Sequence, residues 1–321
     1  MLKIEKKYWG KGIKYVAGID EAGRGPLAGP VVAASVIFKP NEEIKGIKDS
    51  KKLTDKKRKK LYSIIYQKAI AIGIGIVHEN KIDEINILKA TFLAMNKAIG
   101  TLDQNPEQVL VDGPYSNVKL YPVEHVVNGD NISQSIAAAS IIAKVTRDNM
   151  MVEYDKIFPE YGFAKHKGYG TKYHMEQINL IKSSPIHRKS FKIINKNLPD
   201  YKFFESRESA FPILGNQIVA SEYIKKGYVI IDDKIECNNS FIDYCFLNQE
   251  KTKLLFIKTF SIYNNIKSTI DKKTLLKNNK YISCINEYIE KNNCTKKYTF
   301  NVISITFLKS KKPIIQIYKN A

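Results

Sequence analysis

An α/β fold, built as a mixed sheet flanked by helices and followed by a second, smaller α/β domain, is what this sequence predicts. Three observations carry the expectation. Short apolar runs rich in β-branched residues alternate with amphipathic helical stretches between residues 13 and 158. A polar, weakly periodic stretch from about 192 to 208 interrupts that order, and helix and strand patterns resume beyond it. The chain has 321 residues, 44% of them hydrophobic, enough for two cores at roughly 100 to 200 residues per domain.

Residues 13 to 19 and 30 to 38 ("PVVAASVIF") are apolar and bounded by Gly and Pro, so they read as neighbouring strands in a hairpin-like start. In "LTDKKRKKLYSIIYQKAI" Thr54 or Asp55 can cap a helix that carries Leu61, Ile64, Ile65 and Ile70 at near-helical spacing, and "AIGIGIVH" follows as a short strand. One helix is expected from about Glu79 to a stop at Gly100. "QVLVDGP" reads as a buried strand ending in Asp112, and "HVVNGD" as another ending in Asp130. The long helix in "SQSIAAASIIAKVTRDNMMVEYDKIF" carries Ala137, Ala138, Ala139 and Ser140, small enough to lie close against a sheet. Past the polar stretch, "FPILGNQIVASEYIKKGYVIID" reads as helix, Gly227 stop and strand, and "SFIDYCFLNQEKTKLLFIKTF" as a hairpin. The expected domains are 1–200 and 209–321.

Lys and Arg outnumber Asp and Glu by 52 to 32, a formal charge of +20. Such an excess attracts polyanions through counterion release, which makes nucleic acid the first partner to consider. Lysine, isoleucine and asparagine enrichment can also reflect a biased genome, so charge alone decides nothing. Cys237, Cys245, Cys284 and Cys294 form no CxxC pair, which argues against a zinc site and fits reduced thiols in the cytoplasm. No apolar run approaches the roughly 20 residues of a membrane span, and "MLKIEKKYWGKG" lacks a signal-peptide core.

Against this basic background Asp20, Glu21, Asp112 and Asp130 each stand where an apolar run stops. Strand ends are where α/β sheets collect their ligand sites. Carboxylates crowded together raise one another's pKa, and a divalent cation removes the conflict. Hard oxygen donors favour magnesium or manganese over zinc. Two such ions about 4 Å apart can orient a phosphodiester, activate a water and stabilise the leaving oxygen. Taken singly, an Asp after a strand is more often a turn former or a helix cap. Asp130 in "NGDNISQ" is the most open to that alternative.

Directly after the acid pair, Gly23, Arg24 and Gly25 open "GRGPLAGP". Glycines permit close backbone approach, and the Arg fork suits phosphate or sugar oxygens. The loop matches neither a dinucleotide fingerprint nor a P-loop. Beside an acid pair it can instead read a sugar, where the 2′-hydroxyl separates RNA from DNA.

The stretches "GIDEAGRGPLAGPVVAA", "IKDSKKLTDKKR", "DEINILKATFLAM", "LVDG", "NGD" with "SIAAASIIAKVTRD", and "FAKHKGYGTKYH" together resemble bacterial ribonuclease HII, in family order across about residues 13 to 191. The resemblance implies a ribonuclease H-like fold. It also implies metal-dependent cleavage of RNA in RNA/DNA hybrids and incision on the 5′ side of ribonucleotides embedded in duplex DNA, leaving a 3′-hydroxyl and a 5′-phosphate. By motif, Asp20, Glu21, Asp112 and Asp130 occupy the four acidic, metal-ligating catalytic positions, with Mg2+ or Mn2+ as the cofactor. Gly23, Arg24 and Gly25 match the loop that contacts the 2′-hydroxyl, and Tyr169 matches the tyrosine that packs on the sugar at the RNA-to-DNA junction. Asp49, Ser50, Lys51 and Lys52 match a phosphate-contacting stretch. By pattern alone Lys144, Thr146 and Arg147 read as a solvated helix face. His166, His174 and His187 stay outside the catalytic set as hydrogen-bonding or phosphate-contacting residues, since two-metal hydrolysis needs no histidine base. The form of the loop and the early start of the motifs argue against the sister type, ribonuclease HIII. A cytoplasmic monomer without membrane attachment is expected.

From about 209 the sequence resembles the YraN family, which has a restriction-endonuclease-like fold. It keeps Asp243 and Lys258 but has Gln217 and Phe256 where that family places acids, so the resemblance implies a catalytically degenerate domain. Two further classes stay open: another nuclease of the same fold, such as a resolvase or transposase, and a non-catalytic nucleic-acid binder.

Overall fold

The structure, a computed structural model, describes residues 1–48, 50–207, 210–237, 240–263, 279–309 and 311–319, with the side chains of Lys52 and Asn279 left aside. It divides into two compact units: residues 1–152, 164–176 and 186–196 form one, and residues 153–163, 177–185 and 197–321 the other.

The first unit is built on β1 (Val16–Ala22), β2 (Val31–Phe38), β3 (Ala69–Val77), β4 (Gln108–Asp112) and β5 (Val123–Val126), with helices α1 (Lys3–Trp9), α2 (Asp55–Lys68), α3 (Glu79–Ile85), α4 (Ile87–Gly100) and α5 (Gln134–Ile157). The sheet order is β3-β2-β1-β4-β5. The first three strands meander antiparallel, while β4 and β5 run parallel to β1. β2 is buried along its whole length because both faces of the sheet are covered. On one face Val32, Ala34 and Val36 pack with Leu61 and Ile65 of α2 and with Ala137 to Ala139 and Ile141 of α5. On the other, Ala33, Val109 and Val111 pack with Ala90, Ala94 and Ala98 of α4. Fully burying one Ile or Val contributes roughly 1.5–3 kcal/mol, so these two layers dominate the stability of the unit.

The small residues of α5 do what their size suggests. A Cβ on Gly18 would stand 2.1 Å from the Ser135 backbone, so the helix start rests directly on β1. That contact sets Ser140 of the same helix over the end of the strand.

Several sequence expectations need correcting. The helix expected from Glu79 to Gly100 is two helices, because Asn86 takes φ +66° and its Oδ1 accepts from Lys89 N at 3.1 Å to cap α4. The first strand runs to Ala22, so Asp20 and Glu21 lie inside its last residues rather than after it. β5 stops at Val126, and Asp130 sits four residues on in a 3-10 turn, Gly129–Asn131. The polar stretch at 192–208 contains two short helices, α8 (Lys192–Asn195) and α9 (Tyr201–Glu205), after α6 (Phe163–His166) and α7 (Lys172–Ile181).

The second unit holds α10 (Ala210–Lys225), β6 (Val229–Cys237), β7 (Ser240–Leu247), β8 (Lys253–Ile262), α11 (Asn279–Lys291), β9 (Lys297–Thr306) and β10 (Ile314–Lys319). Its five strands run β10-β9-β8-β7-β6, antiparallel except for β8 with β9. Phe256, at the position where an acid was expected, is fully buried with Ile242, Cys245, Tyr281 and Ile285. Cys237 and Cys284 are joined in a disulfide, contrary to the expectation of four reduced thiols. The end of β6 lies against α11, with the two Cα atoms 5.4 Å apart. Cys245 and Cys294 are free. Among the described residues no helix is long and apolar enough to cross a membrane.

Candidate active site

Parallel pairing of β1 with β4 puts Ile19 opposite Val111, so Asp20 and Asp112, the next residues on each strand, stand side by side at one end of the sheet. Asp112 Oδ1 accepts from Gly129 N at 2.7 Å. That bond ties the end of β4 to the turn carrying Asp130, which is itself buried. Asp130 Oδ1 accepts from Asn131 Nδ2 at 2.8 Å.

The electrostatics show that Asp20, Glu21 and Asp112 share one environment. Burial, reinforced by the charges of Glu21 and Asp112, pushes the Asp20 carboxyl well above its ordinary pKa, and hydrogen bonds from the Ser140 hydroxyl and the Glu21 N–H offset only part of this. Glu21 is also raised, chiefly by burial, against the lowering influence of Arg24, whose Nη1 lies 3.3 Å from Glu21 Oε1. Asp112 raises Glu21 further and Lys51 lowers it. Among the described residues no group of three or more His, Cys, Asp or Glu side chains is gathered closely enough to hold a metal ion. The donor set nonetheless suits one: it consists of hard carboxylate oxygens whose mutual repulsion a divalent cation would relieve.

The remaining expected residues border this end of the sheet. Ser50 Oγ and Ser140 Oγ share a hydrogen bond at 2.9 Å, both buried, so the Ser50–Lys52 turn sits over the hydroxyl that reaches Asp20. Arg58 Nε donates to the Ser50 carbonyl at 3.0 Å and holds that turn. Asp49 lies outside the described residues. Gly23 has φ +99° and a Cβ there would meet Arg147 Nε at 2.1 Å, so only glycine fits. A Cβ on Gly25 would stand 3.7 Å from the ring of Tyr169. The loop and the tyrosine are therefore neighbours, and Tyr169 stays 45% exposed, available to a partner.

The supporting residues were the least legible. Arg147, expected on a solvated face, is 1% exposed. Its Nε, Nη2 and Nη1 donate to the carbonyls of Pro30 at 2.9 Å, Ala28 at 3.0 Å and Lys167 at 2.9 Å. Arg188, fully buried, donates to Gly23 at 2.6 Å, Arg24 at 2.9 Å, Gly29 at 3.0 Å and Pro30 at 3.1 Å. Burial lowers Arg147 to about 10 and Arg188 to about 9, which leaves both charged at neutral pH. For Arg147 a signal existed: Ala143, Met151 and Tyr154 at helical spacing place it on the apolar face of α5. For Arg188 in "HRKSF" there was none. His174 and His187 are both fully buried and hydrogen-bonded to one another, in keeping with the hydrogen-bonding role expected for them.

With this geometry in place, the comparisons with known proteins are specific. The Ribonuclease HII family model matches residues 17–194. A ribonuclease HII of Clostridioides difficile (strain 630) is 54% identical over 191 residues, 59% of this chain and 74% of that protein. One from Acholeplasma laidlawii (strain PG-8A) is 52% identical over 197 residues, 61% of this chain and 96% of that protein. Among solved structures, the ribonuclease H2 of Pyrococcus horikoshii OT3 superposes with a TM-score of 0.51 at 26% identity, covering 60% of this chain and all of that one.

Proposed function

The chain belongs to the ribonuclease HII family, a type 2 ribonuclease H that cleaves RNA/DNA hybrids with a divalent metal, and on that premise we propose that it also incises duplex DNA on the 5′ side of an embedded ribonucleotide, in ribonucleotide removal and primer RNA processing. The observation that carries this reading is the juxtaposition of the mutually repelling carboxylates Asp20, Glu21 and Asp112 with a Gly23–Arg24–Gly25 loop that borders Tyr169.

Asp20, Glu21, Asp112 and Asp130 are assigned as the ligands of Mg2+ or Mn2+. When bound, a pair of these ions would supply Lewis acidity to the scissile phosphate and lower the pKa of the attacking water. The rest falls to the protein. Gly23, Arg24 and Gly25 bring backbone and a cationic fork against the ribose, where a 2′-hydroxyl is the only handle separating RNA from DNA. Tyr169 offers its exposed ring to the sugar at the junction. Lys51, exposed on its turn, contacts the phosphate backbone, whereas Ser50, expected to share that role, is buried against Ser140 and supports the turn instead; the +20 charge raises the encounter rate with nucleic acid.

Residues 1–200 are assigned to catalysis and 209–321 to a YraN-like domain without a working site. In support, Lys258 Nζ lies 3.3 Å from Asp243 Oδ2, both buried, and that carboxylate also takes Thr259 N at 2.7 Å and Asn216 Nδ2 at 3.0 Å. An acid so occupied is a structural ion pair. The protein is taken to work as a cytoplasmic monomer.

The test is magnesium-dependent incision of a labelled DNA duplex containing one ribonucleotide. Cleavage 5′ to that nucleotide, leaving a 3′-hydroxyl, is the expected result. Intact duplex binding without cleavage would favour a non-catalytic binder, and cutting that ignores the ribonucleotide would favour a resolvase-like nuclease.

A further inference from the structure

The geometry points to Arg188, supported by Arg147, as a positioning residue that aims the backbone N–H groups of Arg24 and Gly25 at the substrate ribose. This rests on the reading of the Gly23–Arg24–Gly25 loop as the sugar-contacting segment.

Arg188 offers one planar fork to two successive peptide groups, Nη2 to the Gly23 carbonyl at 2.6 Å and Nη1 to the Arg24 carbonyl at 2.9 Å. No peptide bond among the described residues is cis. In a planar trans peptide the carbonyl and the following N–H point in opposite directions. Once the Gly23 and Arg24 carbonyls are turned inward onto Arg188, the N–H groups of Arg24 and Gly25 face outward. That is the exposed side of the loop, where Arg24 and Gly25 are open to solvent. A buried cation on each carbonyl also polarises the peptide and strengthens the opposite N–H as a donor.

The fork is itself held from three sides. Arg188 and Arg147 share the Pro30 carbonyl, and Arg147 reaches on to Lys167, two residues before Tyr169. Leu27 N donates to the Gly168 carbonyl at 2.8 Å, so loop and tyrosine are tied into one body. Asp83 fixes the segment that carries Arg188, its carboxylate accepting from Lys189 N at 3.0 Å and Ser190 N at 2.8 Å. An ammonium on a flexible stem cannot reproduce this: lysine lacks the rigid fork that serves two carbonyls in fixed directions.

The experiment compares Arg188→Lys with the unmodified full chain on a duplex containing one ribonucleotide, alongside Asp112→Asn. Arg188→Lys is expected to lower kcat by about a hundredfold, the scale of losing one oriented donor at a reacting centre. KM should stay within about threefold, because the phosphate contacts that dominate affinity are untouched. An unchanged kcat in Arg188→Lys beside an inactive Asp112→Asn overturns the positioning role alone. A joint change of kcat and KM with a lowered melting temperature also overturns it, since a merely structural residue behaves that way. Full hydrolysis by Asp112→Asn sinks the site assignment and this inference with it. Should Arg188→Lys not fold, hydrogen exchange on the Asp112→Asn protein decides. The amides at 23–25 should be better protected by the ribonucleotide duplex than by an all-DNA duplex, and equal protection overturns the proposal.

Discussion

His174 Nε2 lies 3.0 Å from His187 Nε2 with both rings fully buried. The other nitrogen of His174 bonds the Tyr169 carbonyl at 2.9 Å and must donate to it. Burial keeps His174 neutral at neutral pH, so with Nδ1 donating, its Nε2 is left to accept from His187.

Acid should accordingly loosen this region. Burial lowers His174 to about 4, against about 6.5 in an unfolded chain. Between those values the unfolded chain binds a proton that the folded chain refuses, so stability is complete above about pH 6.5 and falls as pH drops towards 4. The loss is on the order of 3 kcal/mol. Urea unfolding at pH 7 and pH 5 should show a smaller difference for His174→Asn than for the native chain. An equal difference would mean that this ring does not carry the effect.

Removing one acid should silence the site. Asp112→Asn keeps the side-chain oxygen that accepts from Gly129 N but loses a charge, and hydrolysis should fall about a thousandfold or more if the carboxylate holds a catalytic ion. Single-turnover cleavage of a labelled hybrid measures this.

The two glycines of the loop should behave differently. Gly23→Ala combines φ +99° with a side chain only 2.1 Å from Arg147 Nε, and should cost roughly 1–3 kcal/mol together with most of the activity. Gly25→Ala meets only the Tyr169 ring at 3.7 Å, so its stability should lie within about 0.5 kcal/mol of native. Thermal unfolding of the two variants gives the comparison.

In the second unit, Asp243→Ala would leave Lys258 buried without its partner, at a cost of roughly 3–5 kcal/mol. The folded fraction should still incise a ribonucleotide duplex at the native rate. A loss of incision without a loss of folding would assign this domain a direct part in the reaction.

Affinity should weaken with salt. A surface with a +20 excess that neutralises phosphates loses binding linearly in log salt, with a slope near −0.9 per phosphate contacted on B-form DNA. Binding of a ribonucleotide duplex by Asp112→Asn over a KCl series would return the number of contacts. A flat line would contradict a backbone-gripping role for this charge.

Most strands were legible because β-branched runs bounded by Gly and Pro have little alternative, and α5 because its alanine face needs a sheet to rest on. Asn86 carries no such signal: an apolar pattern runs straight through it, and only its positive φ with extended ψ breaks the helix. Asp130 was placed at a strand end because β5 is short and its last residues turn away from the ladder. The Cys237–Cys284 pairing had no sequence signal, since the two residues are brought together only when α11 packs on β6.

The sequence by itself determined the chemistry on offer: four acids at or near strand ends, a glycine-arginine-glycine loop behind two of them, and a basic chain around them. Local order suffices for that, because strand periodicity and turn residues act over a few neighbours. Only the tertiary structure decided which groups share an environment. The parallel pairing of β1 with β4 sets Asp20 beside Asp112, and the burial of Arg147 and Arg188 joins residues more than a hundred positions apart in one clamp. A buried guanidinium must find carbonyls wherever the folded chain presents them, and no spacing along the sequence records where that will be.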